Sequence, residues 1–149
     1  EFVAGTGHPL IIGVVLDTND ALNLCHHMID LSAKAGNTMT MGQIPFFRYF
    51  HVAETEEEAI QNSRAALDWN LDMIQWRRTF PEGSEVYQEI DEFRKTRTEF
   101  PPTYETLYEN RAFIGNPDQV IAKIKALEEQ GIELFGCNFS FGGILRISP

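Results

Sequence analysis

The stretch RAFIGNPDQVIAKIKALEEQGIELFGCNFSFGGI, from Arg111 to Ile144, decides the fold, because a helix with both ends marked runs straight into a strand. Asn116 can cap the helix, Pro117 suits its first turn, where no amide hydrogen is needed, and Gln119 stands three residues after the cap, where its side chain can return a hydrogen bond. Val120, Ile124 and Leu127 make an apolar stripe that Ile121 widens, and Gly131 supplies a left-handed terminus. Leu134 to Phe141 then reads as a buried strand ending at Gly142 and Gly143. A helix feeding a strand in this way is the repeating step of a parallel α/β sheet.

Working outward, Pro9 to Leu16, PLIIGVVL, is a nearly continuous Ile- and Val-rich run that suits a strand covered on both faces. Asp17 to Asp20 supply possible caps for a helix to about Ala35, ended by Gly36-Asn37. Phe46 to Val52, FFRYFHV, predicts a second strand, with Arg48 and His51 marking an end or face that meets solvent or a ligand. Thr55 and Glu58 have capping-box spacing, and the stripe Ala59, Ser63, Ala66, Leu67, Asn70, Leu71, Ile74 carries a helix to about Arg78. Between Phe80 and Arg111 the pattern weakens: prolines punctuate two short helix candidates, Glu85 to Arg94 and Tyr104 to Glu109, so residues 80–111 read as an inserted helical and loop region. Its aromatics can cover a cavity or attach the insertion to the surface.

With 149 residues, of which 43% are hydrophobic, the chain can bury a core as a single α/β domain. The formal charge of -10 opposes binding to nucleic acid or to an anionic bilayer. No apolar run reaches the ~18 residues of a membrane-spanning helix, and the opening EFVAGTGHPL has no basic leader, so a cytoplasmic protein is expected. The missing initiator methionine is compatible with a longer native chain. Cys25 and Cys137 belong to no CxxC pair and the four histidines to no HxxxH or HxH arrangement, so the expectation is two reduced thiols and no metal. No G-x-S-x-G turn presents a nucleophilic serine.

Three parallel strands with helical crossovers leave open edges, and can form either a small open sheet or an arc of a closed barrel. PLIIGVVLDTNDALNL, FFRYFHVAETEEEAIQNSRAALDW and FIGNPDQVIAKIKALEEQGIELFGCNFSFGG, in that order, resemble the C-terminal part of the bacterial-luciferase-like flavin-dependent monooxygenases. VAETEEEA at Val52 to Ala59 and GNPDQV at Gly115 to Val120 are the most similar pieces, and the likeness runs from about His8. The resemblance implies an incomplete TIM barrel holding the last three β/α units, since a whole one takes about 250 residues. It also implies reduced FMN as co-substrate, or reduced deazaflavin F420 in related branches. Dioxygen would oxidise a small organic substrate, and a missing N-terminal barrel region or another subunit would complete the assembly as an oligomer. A noncatalytic flavin-binding or structural α/β subunit is the contrasting reading.

Barrel chemistry gathers where strands run into their following loops. Under the resemblance Asn138 and Ser140 become candidate flavin contacts, with Gly142 and Gly143 allowing a close turn beside a ligand. For Asn138 and Ser140 the alternative is to satisfy backbone at the strand end. Arg48 is a candidate for balancing an anionic cofactor group, and His51 for catalytic proton transfer. Their parity differs, so a regular strand does not aim both to one face. Asp17, Thr18 and Asp20 are accounted for by capping, and Trp69 and Trp76, seven apart on one helix, suggest a packed face or subunit contact.

Overall fold

The Asn116 cap forms as its spacing requires: the Gln119 amide donates to Asn116 Oδ1 at 3.0 Å, and the Asn116 amide donates to Gln119 Oε1 at 3.0 Å. In the computed structural model the described residues are 2–8, 10–76 and 103–141, with side chains described throughout except at 74–76. Among them the elements are α1 (Phe2–Thr6), α2 (Thr18–Lys34), β1 (Phe46–Val52), α3 (Glu56–Trp76), α4 (Tyr104–Asn110), β2 (Ala112–Gly115), α5 (Pro117–Glu129) and β3 (Phe135–Asn138). A single 3-10 turn, Met41–Gln43, leads into β1. Gly131, at φ +86°, takes the left-handed position after α5 that favours glycine.

The strands form one parallel sheet in the order β2-β1-β3. From β1 the chain crosses to β2 on one side, then crosses back over β1 to β3 on the other. Crossovers of one hand then put the connecting helices on opposite faces. Two cores result. On one face α2 and α5 cover Phe46 and Phe113 with Ala21, Cys25, Met28, Val120 and Leu127. On the other, α3 and α4 cover Tyr49, Ala112 and Ile114 with Ala59, Leu67, Leu71, Tyr104 and Leu107. Full burial of a leucine such as Leu67 or Leu107 stabilises by about 1.5–3 kcal/mol.

Several expectations are corrected. The Pro9 to Leu16 run is not a strand: Pro9 lies outside the described residues, and Ile12 alone makes a parallel bridge, with Phe46. Two features end the ladder there. The Gly13 carbonyl accepts from Arg48, and Val14-Val15 turn away, leaving Ile11 and Val15 exposed. Ile12 does lie beside β1, because the Phe47 amide donates to Ile12 O at 2.9 Å while the neighbouring Phe46 amide donates to Leu134 O at 2.8 Å on the opposite edge. The third strand of the sheet is instead the four-residue AFIG of β2, buried throughout, which the sequence reading passed over.

The final strand is shorter and wetter than expected. β3 spans Phe135–Asn138 and is half-buried, while Leu134 and Phe139 on its flanks are exposed. Ile121 is exposed rather than part of the α5 stripe. Asp17 makes no side-chain cap on α2, since its carboxylate pairs with Arg111. The helix candidate Glu85 to Arg94 lies outside the described residues, as does the predicted end of α3 at Arg78.

Candidate functional site

Parallel pairing brings the carboxyl ends of all three strands to one rim, where Val52, Gly115 and Asn138 are the last residues. Register then sorts the side chains. Tyr49 pairs with Asn138 and Arg48 with Cys137, so alternation places Tyr49, His51 and Asn138 on the α3/α4 face and Arg48 and Cys137 on the α2/α5 face. The residues singled out on β1 therefore do not meet: His51 and Asn138 share a face, and Arg48 is on the other.

His51 is half-buried, and its Nε2 is enclosed without a hydrogen-bond partner among the described residues. Below it, Tyr49 is buried, donates from its hydroxyl to Asn70 Oδ1 at 3.0 Å and packs its ring 5.1 Å from that of Phe141. Burial pushes the Tyr49 phenol up, so it remains protonated. Asn138 Oδ1 accepts the Ser140 amide at 3.2 Å, a turn that closes β3 and leaves the Asn138 amide nitrogen and the Ser140 hydroxyl at the rim. Gly142 and Gly143 lie outside the described residues.

Arg48 is a core residue with no exposed surface. Its Nε donates to Thr18 Oγ1 at 3.1 Å, and its Nη1 donates to Gly13 O at 3.1 Å and Phe47 O at 2.8 Å. The guanidinium carbon lies 4.0 Å from the Phe46 ring centre. Nη2 is buried without a partner. Burial, with the nearby Arg111 cation, pulls its pKa down to about 10, against the opposing pull of Asp17 and Cys25. Thr18 completes the link by donating to Asn110 O at 2.7 Å, so Arg48 ties the loop before α2, β1 and the end of α4 together. What the guanidinium retains for an anion is the enclosed Nη2 group, with two N–H donors.

Between α2 and α5 an open cleft of about 930 Å³ runs past the end of α4. Leu22, Phe113 and Leu127 line its apolar side, and Asp20, His26 and Glu109 are among its polar residues. Its only amine among the lining residues is Lys123, whose Nζ donates to Ala112 O at 3.1 Å and lies 5.2 Å from the Tyr108 ring centre. Burial lowers the Lys123 pKa, opposed by Glu56. The sequence reading did not find this cleft. A signal existed: Lys123 stands three residues after Val120 and four before Leu127, a charge set within the buried stripe. Among the described residues no group of histidine, cysteine, aspartate and glutamate is arranged to hold a metal ion, and no helix is long and apolar enough to cross a membrane.

The class of fold is α/β, a three-stranded parallel sheet that matches a portion of longer solved chains and is consistent with an incomplete TIM barrel. No family model matches the chain, and no curated protein matches it in sequence. Solved structures do match. One is the oxygenating constituent of 3,6-diketocamphane monooxygenase from the CAM plasmid of Pseudomonas putida, a type II Baeyer-Villiger monooxygenase in complex with FMN, at 20% identity over 93% of this chain and 38% of that one, with a TM-score of 0.62. Flavoprotein 390 is similar at 11% identity over 97% of this chain and 53% of that one, with a TM-score of 0.64. The coenzyme F420-dependent tetrahydromethanopterin reductase from Methanopyrus kandleri is similar at 17% identity over 91% of this chain and 41% of that one, with a TM-score of 0.53. Identities this low show the fold. The chain spans 38% to 53% of the length of these three proteins.

Proposed function

We propose that this chain is the C-terminal part of an FMN-dependent monooxygenase that oxidises a small organic substrate with dioxygen. One observation carries the reading: 93% of the chain superposes on a monooxygenase described in complex with FMN, with the strand ends gathered at a single rim. Fold alone does not assign chemistry, so the residues at that rim must also suit a flavin. His51 Nε2, the Asn138 amide and the Ser140 hydroxyl offer polar groups on one side of the rim, fitting the carbonyl and nitrogen edge of an isoalloxazine ring.

The rim suits the ring better than the phosphate. Residues 52–58, 115–119 and 138–141 carry Glu54, Glu56, Glu57, Glu58 and Asp118 with no arginine or lysine, a field that repels a phosphate. Phosphate binding then belongs to residues outside this described rim. Bound FMN would supply the activation of dioxygen. The chain would orient the ring through Asn138 and Ser140, move a proton at His51 Nε2, and shield the site from water with Tyr49 and Phe141 beneath. Arg48 would support the rim from the opposite face by fixing β1.

A noncatalytic flavin-binding subunit is the second reading, and the likeness to flavoprotein 390 over 97% of this chain supports its flavin-binding part. Titration of the full-length protein with FMN and with F420, followed by oxygen uptake with reduced cofactor and a panel of small ketones and aldehydes, separates the two. Monooxygenase function requires FMN binding weakened by Asn138→Ala and turnover reduced by His51→Ala. FMN binding with no oxygen uptake beyond free reduced flavin selects the noncatalytic reading, preferential binding of F420 selects the reductase branch, and absence of any flavin affinity defeats all three.

A further inference from the structure

We propose that Asn70 is a positioning residue for the rim: by holding the Tyr49 hydroxyl it fixes the tilt of the Tyr49 ring, and through that ring the turn that presents Asn138 and Ser140. The ligand in this proposal rests on the flavin reading, while the coupling from α3 to the turn rests on contacts within the chain. Tyr49 lies in the central strand, level with Ala112 on one side and Asn138 on the other. Its hydroxyl donates to Oδ1 of the half-buried Asn70 at 3.0 Å, and its ring lies 5.1 Å from that of Phe141 at an interplanar angle of 58°. Phe141 stands just beyond the turn from Asn138 to Ser140, yet it is only 7% exposed and belongs to the same buried cluster as Tyr49. The ring pair ties the turn back onto the sheet.

The residue types argue for orientation rather than stability. Ala59, Ser63, Ala66, Leu67 and Leu71 are the buried side of α3, and a leucine at position 70 would continue that stripe. A phenol and a carboxamide instead both give up water on burial, and replacing such a pair by apolar groups of the same shape leaves stability nearly unchanged. What an apolar pair lacks is direction. A hydrogen bond has a preferred length and angle, so it fixes the phenol tip and with it the ring behind. Tilted aromatic pairs are favourable over a limited range of geometries. A shifted Tyr49 ring therefore moves Phe141, and with it the hydrogen bond from the Ser140 amide to Asn138 Oδ1. Asn70 itself acts only through Tyr49.

The test compares Asn70→Leu, Asn70→Asp and the double variant Tyr49→Phe with Asn70→Leu in the full-length protein. Hydrogen exchange at the Ser140 amide is read by NMR without flavin, and FMN affinity by titration. Asn70→Leu should exchange about fivefold faster and bind FMN about fivefold more weakly, the fold-change of one neutral hydrogen bond. Asn70→Asp, which still accepts from the phenol, should restore both. The double variant should unfold at the urea concentration of the parent yet keep the fast exchange, a combination that a purely structural contact does not give, and it carries the test if Asn70→Leu does not fold. Parent-like exchange in either leucine variant overturns the proposal, as does a double variant of clearly lower stability, or fast exchange beside unchanged FMN affinity. Absence of FMN affinity in the parent defeats the flavin reading instead, and the exchange comparison alone then decides the coupling.

Discussion

Replacing Arg48 by Met and by Lys separates two roles for a buried cation, a core donor or a counter-charge for a bound anion. Arg48 donates three hydrogen bonds, to Thr18, Gly13 and Phe47. At about 1.5 kcal/mol for a charged donor, these contribute about 4.5 kcal/mol. Against this, the fall of its pKa from 12.5 to about 10 corresponds to about 3 kcal/mol of disfavoured charge. Arg48→Met loses the first and recovers the second, for a net cost of about 1.5 kcal/mol. Arg48→Lys keeps a buried charge while one ammonium replaces a three-bond fork, so two bonds are lost at a cost of about 3 kcal/mol. Urea denaturation of the chain, followed by circular dichroism and compared at constant m-value, measures both. Methionine should be tolerated better than lysine. A lysine variant as stable as the parent, with methionine several kcal/mol worse, would refute the core-donor account and support an anion lodged against this side chain.

Three further outcomes follow from the fold. Asn116→Ala removes the reciprocal cap of α5 and should lower stability by about 1 kcal/mol in the same denaturation experiment. Gly136→Ala places a methyl 2.3 Å from the Phe47 ring, which must move; a loss of about 1–3 kcal/mol and a changed near-ultraviolet spectrum are expected, and an unperturbed variant would show the β1–β3 packing to be looser than described. Tyr108 is pushed up to about 12, first by burial and then by its 2.8 Å hydrogen bond to Glu56. Its folded pKa lies above the unfolded value of 10.0, so the phenol contributes stability that is present below pH 10 and lost as pH rises through about 12. Tyr108→Phe should flatten that part of the stability profile.

Local signals were readable wherever the chemistry is short-range. The Asn116–Gln119 box joins residues three apart, Gly131 acts through its own φ, and FFRYFHV has the aromatic and β-branched composition of a strand, so α5, its end and β1 follow from neighbouring residues. The split between Arg48 and His51 was also legible, because side chains alternate along any strand. The candidate rim was legible in part: Asn138 and Ser140 lie at the end of β3, while the enclosure of His51 Nε2 and the packing of Tyr49 beneath it depend on residues far along the chain.

The amino-acid sequence by itself thus determined a parallel α/β chain of capped helices and apolar strands, since caps, periodicity and composition act over a few residues. Tertiary structure decided which apolar runs became strands. PLIIGVVL has the stronger strand composition, yet Arg48 takes its Gly13 carbonyl and only Ile12 bridges to the sheet, while the four residues of AFIG gain a full partner in β1, sixty-three residues away between Tyr49 and Ala112. It also decided that Arg48 is enclosed and that Lys123 is tied to the Ala112 carbonyl beside a cleft. Those outcomes depend on which elements meet, and long-range pairing energy is settled by the packed whole.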